Sequence, residues 1–141
     1  RVLLAGSTPP DDRLHRAVEA AGASVIAEAY PHALDRLGPP IAESGDTPHL
    51  AIARQLSRWS VGPRSFLDRA RWVVERATAS RAAAVILWLT REDEALAWQV
   101  PAQRKALATA GIPALILPAA RWLADETDLQ QITGFCREIF R

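Results

Sequence analysis

Cysteine is almost missing from this sequence: there is one, Cys136, in 141 residues. A single thiol rules out an internal disulfide and leaves no cysteine set for a structural zinc or an iron–sulfur centre. An excess of one charge is missing as well. Seventeen Lys and Arg stand against 16 Asp and Glu, a formal +1, so no strong field gathers phosphate backbones and nucleic acid is not an expected partner. No apolar run is long enough to span a bilayer, and the N-terminus lacks the charged, apolar and small-residue order of a signal peptide. The expectation is a cytoplasmic protein with no membrane partner. The three histidines, His15, His32 and His49, have no i, i+4 pairing and no cysteine beside them, so no metal site is expected.

What is present is apolar sequence, 49% of the residues, enough for one sizeable core. Two periods alternate through it. "RVLLAG" (1–6) and "ASVIAEAY" (23–30) are short runs with β-branched residues. Between them Leu14, Val18 and Ala21 recur at helical spacing, Gly22 stops the helix, and Asp11 or Asp12 can cap its start. From Pro31 to Arg81 the pattern is mostly helical. "PHALDRL" reads as a short helix, "GPPIAESGDTP" as a loop, and Thr47-Pro48 as a helix start with Leu50, Ala53 and Leu56 as its buried stripe. A further start at Ser65 leads into Phe66, Ala70, Val73, Val74 and Ala77. "AAAVILWL" (82–89) reads as a strand apolar on both faces. Pro101 then opens a helix with Ala102, Ala106 and Ala110 on one side, Gly111 ends it, and "IPALIL" (112–117) is a fourth strand. Leu129, Ile132, Cys136, Ile139 and Phe140 line a last helix behind caps in "DETD".

Strands separated by helices predict an α/β domain over residues 1–141: a flavodoxin-like or Rossmann-like three-layer fold with four parallel strands in the order 2-1-3-4. In such sheets ligands sit beyond the carboxyl ends of the strands where the order reverses. The loops there are "GSTPPDD" (6–12) and "TREDEALAW" (90–98). They supply the candidate site: Ser7, Asp93 and Glu94 as catalytic groups, and Ser7, Thr8, Thr90 and Trp98 as groups that touch a cofactor. Ser7 and Thr8 follow a glycine, as in loops that cradle phosphate, but Pro9 and Pro10 remove two amide donors, and a plain turn accounts for the same residues. The acids of Glu92, Asp93 and Glu94 raise one another's proton affinity if a dry cleft holds them together; on an open loop they face water. Ser7 has no evident base, Cys136 belongs to an apolar helix face, and no catalytic triad can be assembled. The five tryptophans, with Trp98 and Trp122 just after strand ends, fit an interface or a second domain packed over some of them.

The segment "AAVILWLTREDEALAWQVPAQRKALATAGIPALIL" resembles the C-terminal domain of 2-hydroxyacyl-CoA dehydratase and benzoyl-CoA reductase subunits. Ala84 to Trp88 match that family's strand, Pro101 its proline, Arg104 to Leu107 its "REAL" and Gly111 to Pro113 its "GIP". The opening "RVLLAGSTPPDDRLHRAVEAAGASVIAE" is similar to the family's start of this domain, so the resemblance covers the whole chain.

The resemblance implies a domain from the C-terminal part of a longer subunit, in keeping with a strand that begins at Arg1. It implies an N-terminal domain of the same parent chain or a partner subunit across the site, an acyl-CoA substrate, and a [4Fe-4S] cluster held by cysteines. The cluster cysteine and aspartate of the family fall on Asp93 and Glu94, and a further cysteine falls around Tyr30 to His32, where there is none. A hard carboxylate replaces a thiolate poorly, so this chain is not expected to ligate the cluster. Three expectations follow: a lyase- or reductase-type component acting on or binding an acyl-CoA thioester; a non-catalytic structural or dimerisation unit of such a complex; and, weaker, a flavodoxin-like flavin or nucleotide binder.

Overall fold

The computed structural model describes residues 1–30, 40–41, 45, 47–58 and 68–141. Chain order is β1 (Val2–Gly6), α1 (Arg13–Ala20), β2 (Val25–Ala29), α2 (Pro48–Arg58), α3 (Arg69–Ser80), β3 (Ala84–Thr90), α4 (Glu94–Ala97), α5 (Val100–Thr109), β4 (Ala114–Ala120) and α6 (Glu126–Ile139). The four strands form one parallel sheet in the order β2-β1-β3-β4. All seven residues of β3 are buried, because helices cover the sheet on both sides and leave an inner strand no solvated face.

Alternation along the strands divides the core in two. Val2 and Leu4 of β1 and Ile86 and Trp88 of β3 point toward α1 and α6, where they meet Leu14, Val18, Ile132 and Cys136. Leu3 and Ala5, with Val85, Leu87 and Leu89, point the other way, toward Val73 and Ala77 of α3 and Val100 and Leu107 of α5. This is the three-layer α/β arrangement that the alternating periods predict.

Local chemistry sets the helix starts. The Asp68 carboxylate accepts from the amides of Ala70 and Arg71 at 3.0 and 3.1 Å, so α3 begins at Arg69. A capping box of Asp125 and Asp128 opens α6. At α1, Asp12 occupies the cap position without a side-chain cap bond, and the Asp11 carboxylate accepts from the Arg13 amide instead, at 3.1 Å. One helix face departs from expectation. Leu50, Ala53 and Leu56 of α2 are exposed rather than buried. In α5, where Ala102, Ala106 and Ala110 lie on one side, the buried residues are Val100, Gln103 and Leu107; the larger apolar side chains remove more area from water when they turn inward. The expected helix over 31–37, His32, Trp59, the start at Ser65 and Phe66 lie outside the described residues. No helix among the described residues is long and apolar enough to cross a membrane.

Candidate functional site

Backbone approach at the carboxyl ends of β1 and β3 builds the site. Gly6 lies opposite Trp88 at φ +106°, and a Cβ there would sit 2.2 Å from the Trp88 carbonyl oxygen. Only glycine lets the two strands come this close. That carbonyl accepts from the Ser7 amide at 2.8 Å, and the Ser7 hydroxyl in turn accepts from the Thr90 amide at 3.0 Å. The chain then turns, and the Asp93 amide donates to the Thr90 carbonyl at 3.1 Å. Ser7, Thr90 and Asp93 are thus joined in one hydrogen-bonded sequence across the loops after β1 and β3. On the far side, the Arg91 amide and Nε donate to the carbonyls of Ala120 and Ala119, each at 3.0 Å, and tie the same loop to the end of β4.

Within this lip the polar groups lie at different depths. Ser7 and Thr90 are each only 2% exposed. Ser7 uses an oxygen lone pair on the Thr90 amide, which leaves its proton available to donate, and the Thr90 Oγ1 is buried without a hydrogen-bond partner. Thr8 and Asp93 are half-buried, whereas Glu92 and Glu94 are exposed. Asp93 stands at the cap position of the short α4 without a side-chain cap bond. Its carboxylate is not consumed in closing the turn. Trp98, at the far end of α4, is 85% exposed. The structure therefore brings Ser7, Thr90 and Asp93 together, puts Thr8 and Glu94 on the same rim, and leaves Trp98 projecting from it.

Two groups at the site escape a reading of the sequence. Gly6 is one; a glycine at a strand end before Ser-Thr is the signal that points to it. The other is a cluster on the neighbouring edge. His15 Nε2 of α1 lies 2.7 Å from Glu28 Oε1 of β2, and the Tyr30 phenol also bonds the Glu28 side chain. Burial, reinforced by the hydrogen bond to the Glu28 carboxylate and its charge, holds the phenol neutral well above its ordinary range. Only the fold joins helix to strand here, so no spacing announces the cluster.

The donor set of the lip is hydroxyl, amide and carboxylate. The one thiol, Cys136, is fully buried between α6 and the sheet beside Leu14 and Ile132, and burial raises its pKa. It is packed as a small hydrophobe. Among the described residues no group of three or more His, Cys, Asp or Glu could hold a metal ion. The residues present do not fit the thiolate ligands of an iron–sulfur cluster. Two helical grooves lie elsewhere, one of about 600 Å³ between α1 and α6 and one of about 510 Å³ between α3 and α5.

No curated protein matches the chain closely enough to count as a relative. A family model does match: that of the 2-hydroxyglutaryl-CoA dehydratase D-component, HGD-D, aligned to residues 1–132. The match covers every element but the second half of α6, and the chain belongs to the 2-hydroxyglutaryl-CoA dehydratase D-component family.

Proposed function

We propose that this chain is an α/β domain of a dehydratase-type assembly, whose lip between the β1 and β3 loops receives the polar end of a 2-hydroxyacyl-CoA thioester. The observation that carries the reading is the hydrogen-bonded sequence from Ser7 through Thr90 to Asp93, at the place where a parallel sheet of this order reverses. A thioester carbonyl or a 2-hydroxyl needs donors and acceptors held at fixed positions. Ser7 retains a proton to donate, the Thr90 hydroxyl is unpaired, and the Asp93 carboxylate is left open. Thr8 and Glu94 complete the rim. Ser7 also fixes Thr90, and through it the turn that carries Asp93. Asp93 and Glu94 are the groups placed to orient a hydroxyl or move its proton. No electron-transfer step is assigned to these residues, since the chain offers no thiolate at the lip.

Mass action tests this, because a ligand that binds the folded state alone must raise its melting temperature. The full-length protein is expected to melt higher with a 2-hydroxyacyl-CoA than with free coenzyme A at equal concentration. Ser7→Ala and Asp93→Asn should each lose that difference while remaining folded by circular dichroism. Equal shifts with the thioester and with coenzyme A, unaltered in both variants, would refute the assignment.

A second reading, a structural or dimerisation unit of such a complex, draws on the carboxylates that stand where the family carries its Cys-Asp pair and on exposed tryptophans at the same edge. Under it, Asp93→Asn leaves turnover of the assembled enzyme unchanged, whereas loss of the whole domain abolishes assembly.

A further inference from the structure

Trp88 and Thr90, two residues apart on β3, each bury a polar side-chain atom that no described residue satisfies: the indole Nε1 and the hydroxyl Oγ1. Trp88 is 1% exposed and Thr90 2%. Side chains two apart on a strand share a face, so both groups point toward α1 and α6, the side on which Trp88 packs with Leu4, Val18 and Ile132. Leu89, between them, points the other way, toward α3 and α5. Ala120, the β4 partner of Thr90, and Ala124 belong to the same cluster as Trp88, so short side chains border this end of the strand.

A buried donor without an acceptor keeps its full desolvation cost, and such a group persists where a bound molecule completes it. The chemistry of the groups present narrows what that molecule offers. An indole N–H donates and cannot accept. The Ser7 hydroxyl, which accepts from the Thr90 amide at 3.0 Å, still has its proton to give, and the Thr90 hydroxyl is free to give its own. Three donors therefore stand at the carboxyl ends of β1 and β3, while the described residues bury no carboxylate at that depth. Donors without a buried base suit an oxygen that only accepts. In a 2-hydroxyacyl thioester that atom is the carbonyl oxygen. The 2-hydroxyl carries a proton and needs an acceptor, which the half-buried Asp93 supplies at the rim.

We infer that the indole N–H of Trp88 is a specificity-determining donor, which with the Thr90 and Ser7 hydroxyls holds the thioester carbonyl oxygen beneath the lip. The inference rests on the acyl-CoA reading above and deepens it, because it assigns the two oxygens of the acyl end to different depths. The carbonyl enters on the α1 and α6 side, away from water, where hydrogen bonds to it gain strength. The 2-hydroxyl stays at the rim with Asp93. A ligand without the carbonyl oxygen leaves three buried donors unpaired, so the site rejects it.

Two probes test this on the full-length protein: a 2-hydroxyacyl-CoA thioester and its thioether analogue, in which a methylene replaces the carbonyl. Calorimetric titration should show the thioester binding about a hundredfold tighter or more. Thr90→Val, which keeps the shape of the side chain, should narrow that ratio about tenfold and leave the thioether affinity unchanged, and Trp88→Phe should do the same. Thr90→Val should also melt no lower than the wild type, since it removes a group that the free fold leaves unpaired. A role confined to packing would instead lower the melting temperature and weaken both ligands alike, and that result overturns the inference. Because Trp88→Phe alters the core, the wild type supplies a second readout. The Trp88 indole proton resonance, recognised by its slow exchange with solvent, should move downfield with the thioester and stay in place with the thioether. An unchanged ratio in Thr90→Val, or an unmoved Trp88 resonance with the thioester bound, sinks this inference and leaves the acyl-CoA reading standing. A thioester that binds no better than free coenzyme A sinks both.

Discussion

Gly6 carries more of the architecture than its size suggests. Any side chain there pushes on the Trp88 carbonyl that also receives the Ser7 amide, so the strand pair and the site are strained together. Gly6→Ala is expected to cost about 3 kcal/mol or more in chemical denaturation, since it adds a clash to a positive-φ penalty. Gly6→Ala with wild-type stability would mean that the strands part freely. Tyr30 offers a second residue-scale check, because it is the only tyrosine. The fold raises its pKa from 10.0, so the folded chain holds the proton where the unfolded chain releases it. Its contribution to stability is therefore complete below pH 10 and is lost as the pH rises through the higher folded value. Phenolate absorbance should titrate with a midpoint above 10 in the native protein, and Tyr30→Phe should flatten the alkaline fall in stability. A midpoint at the free-tyrosine value would contradict the hydrogen bond to Glu28.

The elements divide into those whose local chemistry announces them and those whose partners decide them. In α6 the start is set by Asp125 and Asp128, and Gly134 stands mid-helix with nothing within 4 Å of where a Cβ would be. Gly134→Ala should raise stability by up to about 1 kcal/mol, because glycine gives up more backbone freedom in a helix. Asp125→Ala should lower it by about 1 kcal/mol through loss of the cap. Thermal melts of the two variants should move in opposite directions. The β3 strand was legible because it is apolar on both faces, and its seven buried residues fix it at the centre of the sheet. The inward face of α5 was not. Alanines fit a core or a surface equally well, and the decision fell to Val100 and Leu107, whose burial only the packed sheet rewards. The stripe of α2 departs from its periodicity for a related reason. Periodicity shows that Leu50 and Leu56 want cover, and it does not say that this part of the chain provides it. The link between His15 and Glu28 lay beyond any sequence signal, since it joins one edge strand to the helix above it.

At the scale of the whole molecule, strand order places the chemistry. A sheet in the order β2-β1-β3-β4 sends the connections of β1 and β3 to opposite sides, and the gap between them is where Ser7 and the acidic loop meet. The alternation of strand and helix made that order legible, along with the two loops that form the site. It could not reveal that Ser7 and Thr90 lie beneath the lip while Trp98 stands clear of it, because depth is a property of packing. We propose that this lip, and not a helical groove, receives the acyl-CoA. Hydrogen exchange of the full-length protein with and without a saturating 2-hydroxyacyl-CoA tests it most directly. Slowed exchange is predicted at the amides of Ser7, Thr8, Thr90 and Asp93. Protection confined to the groove between α1 and α6, with those four amides unchanged, would contradict it.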